Sequence, residues 1–233
     1  MIAKSPPQLI LIPVNLADPK EYSEFQRQRT ICGWSFSDET LAFYREKQEQ
    51  KLKSLFWITI PDPDAPSMIV TTSACGTTES EPTETEAYST LRAGHISLDA
   101  YNDPPHDPDL VAADKSTLAI QNFFLLPEYR KLGLGHAAMD RLESLARTEP
   151  YGSPNCQFLA LSTLSKRYIY QEGPEWRDLW AKFGMEVPAF SAHAWYETRG
   201  YELFKEEPRY PITSEDGKIE VKLVLAFLRK RVV

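Results

Sequence analysis

Residues 118–146, LAIQNFFLLPEYRKLGLGHAAMDRLESLA, constrain the fold more than any other stretch of the chain. Residues 118–126 form an apolar run rich in Leu, Ile and Phe, and residues 127–131 form a polar turn opened by proline. Gly133-Leu134-Gly135 then leads straight into a helical pattern. Leu134, Ala138, Leu142, Leu145 and Ala146 recur at three- and four-residue spacing, while Asp140, Arg141, Glu143 and Arg147 fall on the opposite side. That periodicity is one apolar face of a helix. The stretch therefore reads as strand, loop, helix, with glycines at the junction.

Such a junction suits an anion. The first amides of a helix have no intrahelical acceptor, and the helix dipole adds partial positive charge there. Glycine lets a phosphate approach the backbone without meeting a β-carbon. Arg130, Lys131 and His136 surround the turn. Gly133 to Ala138 fits the loose dinucleotide pattern G-x-G-x-x-A, but that fingerprint sits directly after its strand and needs an acidic residue at the end of the next one. Here a Pro-Glu-Tyr-Arg-Lys turn intervenes, and residues 156–164 carry no Asp or Glu. A G-x-x-x-x-G-K-[ST] loop is absent.

Arg130-Lys131-Leu132-Gly133-Leu134-Gly135 resembles the pyrophosphate loop, [RQ]-x-x-G-x-[GA], of the GNAT superfamily of N-acetyltransferases. Near the C-terminus, AHAWYETRGY (residues 192–201) is similar to that family's A-x-x-[LFW]-Y-x-x-x-G-[FY] helix end. The resemblance implies an α/β (α+β) acyl-CoA N-acyltransferase fold: a mixed, mostly antiparallel central sheet with splayed fourth and fifth strands, flanked by helices. It spans residues 1–233 as a single domain with insertions at about 62–90 and 165–190.

The remaining elements follow in order. Strands are expected at 8–14, 55–60, 68–72, 91–98, 116–126 and 156–164, and a closing antiparallel pair at 201–206 and 219–229, joined by a turn at 208–217. Helices are expected at 20–29, opened by Asp18-Pro19, at 39–53, capped by Ser37 or Asp38, and at 191–199, stopped by Gly200. Glu79, Glu81, Glu84 and Glu86 mark an acidic loop that buries little. Trp176, Leu179, Trp180 and Phe183 lie at helical spacing and form either a lid or core. Trp34, Phe36, Phe43 and Tyr44 either line an acceptor site or pack helices on the sheet.

By the same resemblance the co-substrate is acetyl-CoA, and no metal is implied. Phe124, Leu125 and Leu126 offer strand backbone to the pantetheine arm, with the Leu125 N–H as oxyanion donor. Arg130, Lys131, Leu132, Gly133, Leu134, Gly135 and His136 hold the pyrophosphate, and Tyr196 is both a cofactor contact and the acid facing the departing thiolate. Amine acylation also needs a base or a water chain to take the ammonium proton. Many family members place a Glu on the fourth strand, where this chain has Gln121. His95 and Glu24 are candidate bases, and Ser191 or His193 stand in for a missing Asn as cofactor contacts.

The expected activity is acetyl transfer to a primary amine of a small molecule. A regulatory acetyl-CoA-binding module without turnover, and a protein or peptide N-acetyltransferase, stay open as alternatives. Net charge is −7 with a pI near 5.2, so no nucleic-acid partner is expected. Cys32, Cys75 and Cys156 lack disulfide or zinc spacing. The apolar run at residues 8–14 is too short to span a membrane. The expectation is a cytoplasmic protein, with the nucleus also open, acting as monomer or homodimer.

Overall fold

A computed structural model describes residues 9–62, 64, 68–71, 84–87, 89–102, 109–170, 179–183, 186–213 and 220–232. Nine strands are present among them: β1 (Ile10–Pro13), β2 (Lys53–Pro61), β3 (Met68–Thr71), β4 (Glu84–Ala87), β5 (Thr90–Asp99), β6 (Thr117–Leu125), β7 (Phe158–Leu164), β8 (Glu202–Thr213) and β9 (Glu220–Arg231). The helices are α1 (Pro19–Cys32), α2 (Asp38–Glu49), α3 (Leu134–Leu145), α4 (Arg167–Tyr170), α5 (Leu179–Lys182) and α6 (Ala192–Thr198). Seven strands form one mixed sheet in the order β1-β2-β5-β6-β7-β9-β8, while β3 and β4 pair separately. The β1–β2, β7–β9 and β8–β9 pairs are antiparallel, and β6–β7 is parallel.

The chain forms two compact units. The first comprises residues 1–97 and 122–144, the second residues 98–121 and 145–233. In the first, the Asp18 carboxylate accepts from the Lys20 and Glu21 amides to start α1 behind Pro19, and Gly33, at φ 81°, stops it by donating to Arg29 and Thr30 carbonyls. Ser37 caps α2 by accepting from the Thr40 amide. These helices pack Phe25, Leu41 and Tyr44 with Val14, Leu16, Leu55 and Trp57. Strand β2 buries five successive residues, 55–59, so it lacks the alternation of a strand with one wet face.

In the second unit, the β6–β7 register covers Thr117↔Phe158 to Ala119↔Ala160, whereas β7 stays paired with β9 to Leu164. Leu110, Ala119, Ala160 and Phe227 form one core cluster, and Tyr168, Leu179, Trp180, Leu223 and Val224 another. Trp180 Nε1 donates to the Tyr168 carbonyl at 2.9 Å. The aromatic set read as lid or core thus gives Leu179 and Trp180 to the core, with Phe183 packed on them. Trp176 lies outside the described residues, and α5 is only four residues long.

Other boundaries differ for local reasons. Helix α2 ends at Glu49 rather than 53, because Lys51 adopts φ 57° and Lys53 already belongs to β2. The turn expected at 208–217 starts later, since β8 runs to Thr213. Its Pro208 and Pro211 are tolerated because β8 is an edge strand with two register shifts. In the acidic stretch, residues 84–87 form β4 rather than loop, and residues 79–83 lie outside the described residues. Cys32 and Cys156 are free thiols. No described helix is long and apolar enough to cross a membrane.

Candidate acyl-CoA site

Leu126 is followed by a 3-10 turn at Pro127–Tyr129, and then by two left-handed residues, Lys131 at φ 63° and Gly133 at φ 81°. The first bond of α3 is Ala137 N–H to the Gly133 carbonyl, at 3.3 Å. Among the described residues, the amides of residues 131–135 donate to no protein acceptor. Lys131, Leu132 and Gly133 are exposed. Consecutive free amides at a helix start are an anion cradle of the kind that accepts a pyrophosphate. Arg130 instead turns back: its Nε donates to the Leu125 carbonyl at 2.9 Å, and its guanidinium lies 5.4 Å from the Phe124 ring centre. It ties the loop to the end of β6.

Gly133 is the position where conformation decides. A Val there forces a β-branched residue into the left-handed region, at a cost of about 1–2 kcal/mol. Gly133→Val is expected to raise the dissociation constant for coenzyme A at least tenfold. Titration calorimetry checks this.

The backbone of residues 124–125 is set by β5. The Leu126 amide donates to the Ala93 carbonyl at 2.9 Å. A β-carbon at Gly94 would lie 2.1 Å from the Phe124 carbonyl oxygen and 3.0 Å from the Leu125 Cα. Glycine thus permits the close approach. Upstream, Asn122 takes φ 50° in mid-strand. Its Oδ1 accepts from Lys53 Nζ at 2.6 Å and Ser97 Oγ at 3.3 Å, and its Nδ2 donates to Tyr44 Oη at 3.2 Å. Lys53 Nζ also donates to Ser97 Oγ and lies 4.2 Å from the Tyr44 ring centre.

His95 sits beside Gly94, fully buried between the Phe25, Trp57 and Phe124 rings. Its Nδ1 is 3.0 Å from Gln28 Oε1, and its Nε2 is 3.5 Å from Arg29 Nη1. Gln28 Nε2 donates to Glu24, so Gln28 Oε1 is the acceptor and His95 Nδ1 carries the proton. Burial, then the Arg29 and Lys53 charges, hold the imidazole neutral, well below the usual histidine range. Both candidate bases are therefore engaged. Glu24 receives two bonds from Arg27, which hold its carboxyl below the ordinary range.

His95 also predicts a pH effect on stability. Its folded-state pKa is depressed, so below about 6.5 the unfolded chain binds a proton that the folded chain refuses. Stability from this residue is complete above that value and lost as pH falls through it. The melting midpoint is expected to drop between pH 7.5 and 5.5 by more in the parent than in His95→Gln.

In the second unit, Ser191 caps α6 by accepting from the Ala194 amide at 3.2 Å. Tyr196 lies on this helix, buried against Trp195 and Tyr201 at ring-centre distances of 4.9 and 5.6 Å. Burial pushes its phenol well above the ordinary tyrosine value, with Arg199 opposing weakly. Among the described residues its hydroxyl makes no hydrogen bond. His193 is enclosed: Nδ1 accepts from the Lys166 amide at 3.1 Å, and Nε2 lies 3.4 Å from Glu197.

Sequence reading did not mark Lys53, Ser97 and Asn122. The available signal was the polar pair His95 and Ser97, two apart and so on one face of an otherwise apolar strand. No group of His, Cys, Asp and Glu able to hold a metal occurs among the described residues.

The sheet order, with its parallel β6–β7 pair and flanking helices, is that of a GNAT fold. Residues 85–167 match the model of the acetyltransferase (GNAT) family, and the described residues take up a GNAT fold. A spermidine/spermine N-acetyltransferase, SpeG, from Vibrio cholerae is similar in structure at 11% identity and a TM-score of 0.52, covering 97% of this chain and 93% of that one. Arabidopsis thaliana NAA60, solved with acetyl-CoA, is similar at 13% identity and 0.51, covering 96% and 98%. An aminoglycoside 6'-N-acetyltransferase solved with coenzyme A is similar at 11% identity and 0.51, covering 96% and 97%. No curated protein matches the chain in sequence.

Proposed function

We propose that this chain is a single-domain, acetyl-CoA-dependent N-acetyltransferase that moves the acetyl group directly from the thioester to a primary amine of a small molecule. The observation that carries the reading is the run of free amides at residues 131–135, beginning α3 within a stretch that matches the family model. Those amides suit the pyrophosphate of the co-substrate, and the backbone of Phe124, Leu125 and Leu126 suits its pantetheine amides. That structural neighbours include polyamine and aminoglycoside acetyltransferases supports an amine acceptor.

In the reaction the amine nitrogen attacks the thioester carbonyl, the C–N bond forms, and the C–S bond breaks. Charge on the carbonyl oxygen is stabilised by the Leu125 N–H. Tyr196 is protonated at neutral pH, the state needed to donate to the departing thiolate. Because burial raises its pKa far above that of a thiol, it acts as a hydrogen-bond donor that stabilises the departing thiolate, and the proton that completes the thiol comes through water. With His95 and Glu24 engaged, the ammonium proton leaves through water, so kcat/KM is expected to rise with pH toward the amine's own pKa, near 10.4 for a lysine-like amine.

The test is product formation from acetyl-CoA across a panel of small amines, amino acids and peptides. Acetylated small amines are expected. Coenzyme A binding with no product from any acceptor would establish the regulatory alternative, and product from peptides alone would make this a protein acetyltransferase.

A further inference from the structure

Arg29 carries a charge that the mechanism does not use. It lies on the inward face of α1, one turn after Phe25 and beside Gln28, and is only 4% exposed. Its Nε is buried with no acceptor, and its Nη1 reaches only the neutral His95 imidazole. The two carboxylates on its own helix are taken, Glu21 by Arg92 and Glu24 by Arg27. Among the described residues, Arg29 has no carboxylate partner.

Structural arginines on a helix either pair with an acid or extend the guanidinium to water. Arg29 does neither. Its place in the last turn of α1 lets the helix dipole offset a small part of the burial penalty. The rest is uncompensated. Lys53 also acts on His95, so this part of the interior is electropositive. Such a region is suited to an anion. The position narrows which one: His95, the residue that Arg29 touches, lies 5.5 Å from the Phe124 ring centre, next to the backbone assigned to the thioester end of the co-substrate. The pyrophosphate has its own cradle at residues 131–135.

We propose that Arg29 is the anchor for a carboxylate on the acceptor, so that the amine substrate is of amino-acid type rather than a polyamine. This rests on the acetyltransferase reading above. The guanidinium pairs with the carboxylate and restores the missing counter-charge. A polycationic acceptor meets repulsion at the same place.

The test compares acceptors that share a primary amine and differ in a carboxylate: L-ornithine against putrescine, and L-lysine against cadaverine. Parent, Arg29→Gln and Arg29→Lys proteins are assayed with acetyl-CoA. Acceptor binding to the enzyme–coenzyme A complex is measured in parallel by calorimetry, which needs no turnover. The parent is expected to prefer the carboxylate-bearing member. Arg29→Gln is expected to lose about 30–100-fold in kcat/KM on that member, through KM, and under about threefold on the diamine. Arg29→Lys restores part of the loss. Without acceptor, Arg29→Gln melts at the parent temperature or about 2–4 °C above it, since an unpaired buried charge has gone; a purely structural arginine would lower it.

A parent preference for the diamine, equal losses on both members, or loss of coenzyme A binding in Arg29→Gln would each overturn the assignment. Acetylation of diamines alone would do so while leaving the acetyltransferase reading intact. Amino-acid binding that depends on Arg29, without product from any amine, would uphold the carboxylate anchor and remove the turnover reading.

Discussion

Tyr196→Phe lowers kcat by about 100-fold while leaving the coenzyme A dissociation constant within about twofold of the parent. The substitution removes one oxygen and keeps the ring that packs on Trp195 and Tyr201. Since the hydroxyl makes no hydrogen bond among the described residues, its loss leaves no protein group unsatisfied, and the fold is expected to be unaffected. On the proposed reaction, what disappears is the donor to sulfur as the C–S bond breaks, an interaction that strengthens toward the transition state. Steady-state kinetics at saturating acetyl-CoA, paired with calorimetric titration of coenzyme A, separates the two quantities. An acetyl thioester of a more acidic thiol needs less help, so the deficit should shrink with such a donor. An unchanged kcat would remove Tyr196 from the reaction.

Gly94→Ala has the largest expected effect on the fold. The added methyl meets backbone, the Phe124 carbonyl oxygen at 2.1 Å and the Leu125 Cα at 3.0 Å, and neither can swing aside as a flexible side chain can. Relief requires β5 and β6 to part where Ala93 accepts from the Leu126 amide. The expected destabilisation is at least about 3 kcal/mol, at or above the usual cost of an overpacked core. Chemical denaturation measures it. Any protein that still folds is expected to lose acetyl transfer more than coenzyme A binding, because the displaced backbone is that of residues 124–125 and the anion cradle lies beyond it. A variant with parent stability would contradict the described approach of the strands.

Much of this was legible in the sequence, for identifiable reasons. Strand β6, the turn and α3 announce themselves because an apolar run, a proline and a three–four repeat are local signals. Helices α1 and α2 were found from Asp18-Pro19 and Ser37, caps whose side chains bond amides only a few residues away. What stayed hidden depends on partners distant in the chain. Lys53 reads as the end of a charged helix, yet it is a buried strand residue holding Asn122, 69 positions on. Arg29 stands in the sequence only as the last residue of the helix expected at 20–29, and its burial against His95 depends on a strand 66 positions away. Arg130 fits a phosphate-binding motif, and the motif does not reveal that its Nε also braces the loop by donating to the Leu125 carbonyl. Prolines in β8 signal a turn unless the strand is known to be an edge.

The central claim is that residues 130–136 begin a coenzyme A site. A thermal melt of the parent protein with acetyl-CoA, with coenzyme A, with NAD and with buffer alone tests it most directly. A ligand that binds only the folded state raises the midpoint by mass action, by about 2.7 kcal/mol of stability at a hundred times its dissociation constant. The account predicts a rise with both coenzyme A species, none with NAD, and a reduced rise in Gly133→Val. No rise with either coenzyme A species at millimolar concentration, or an equal rise with NAD, would contradict it.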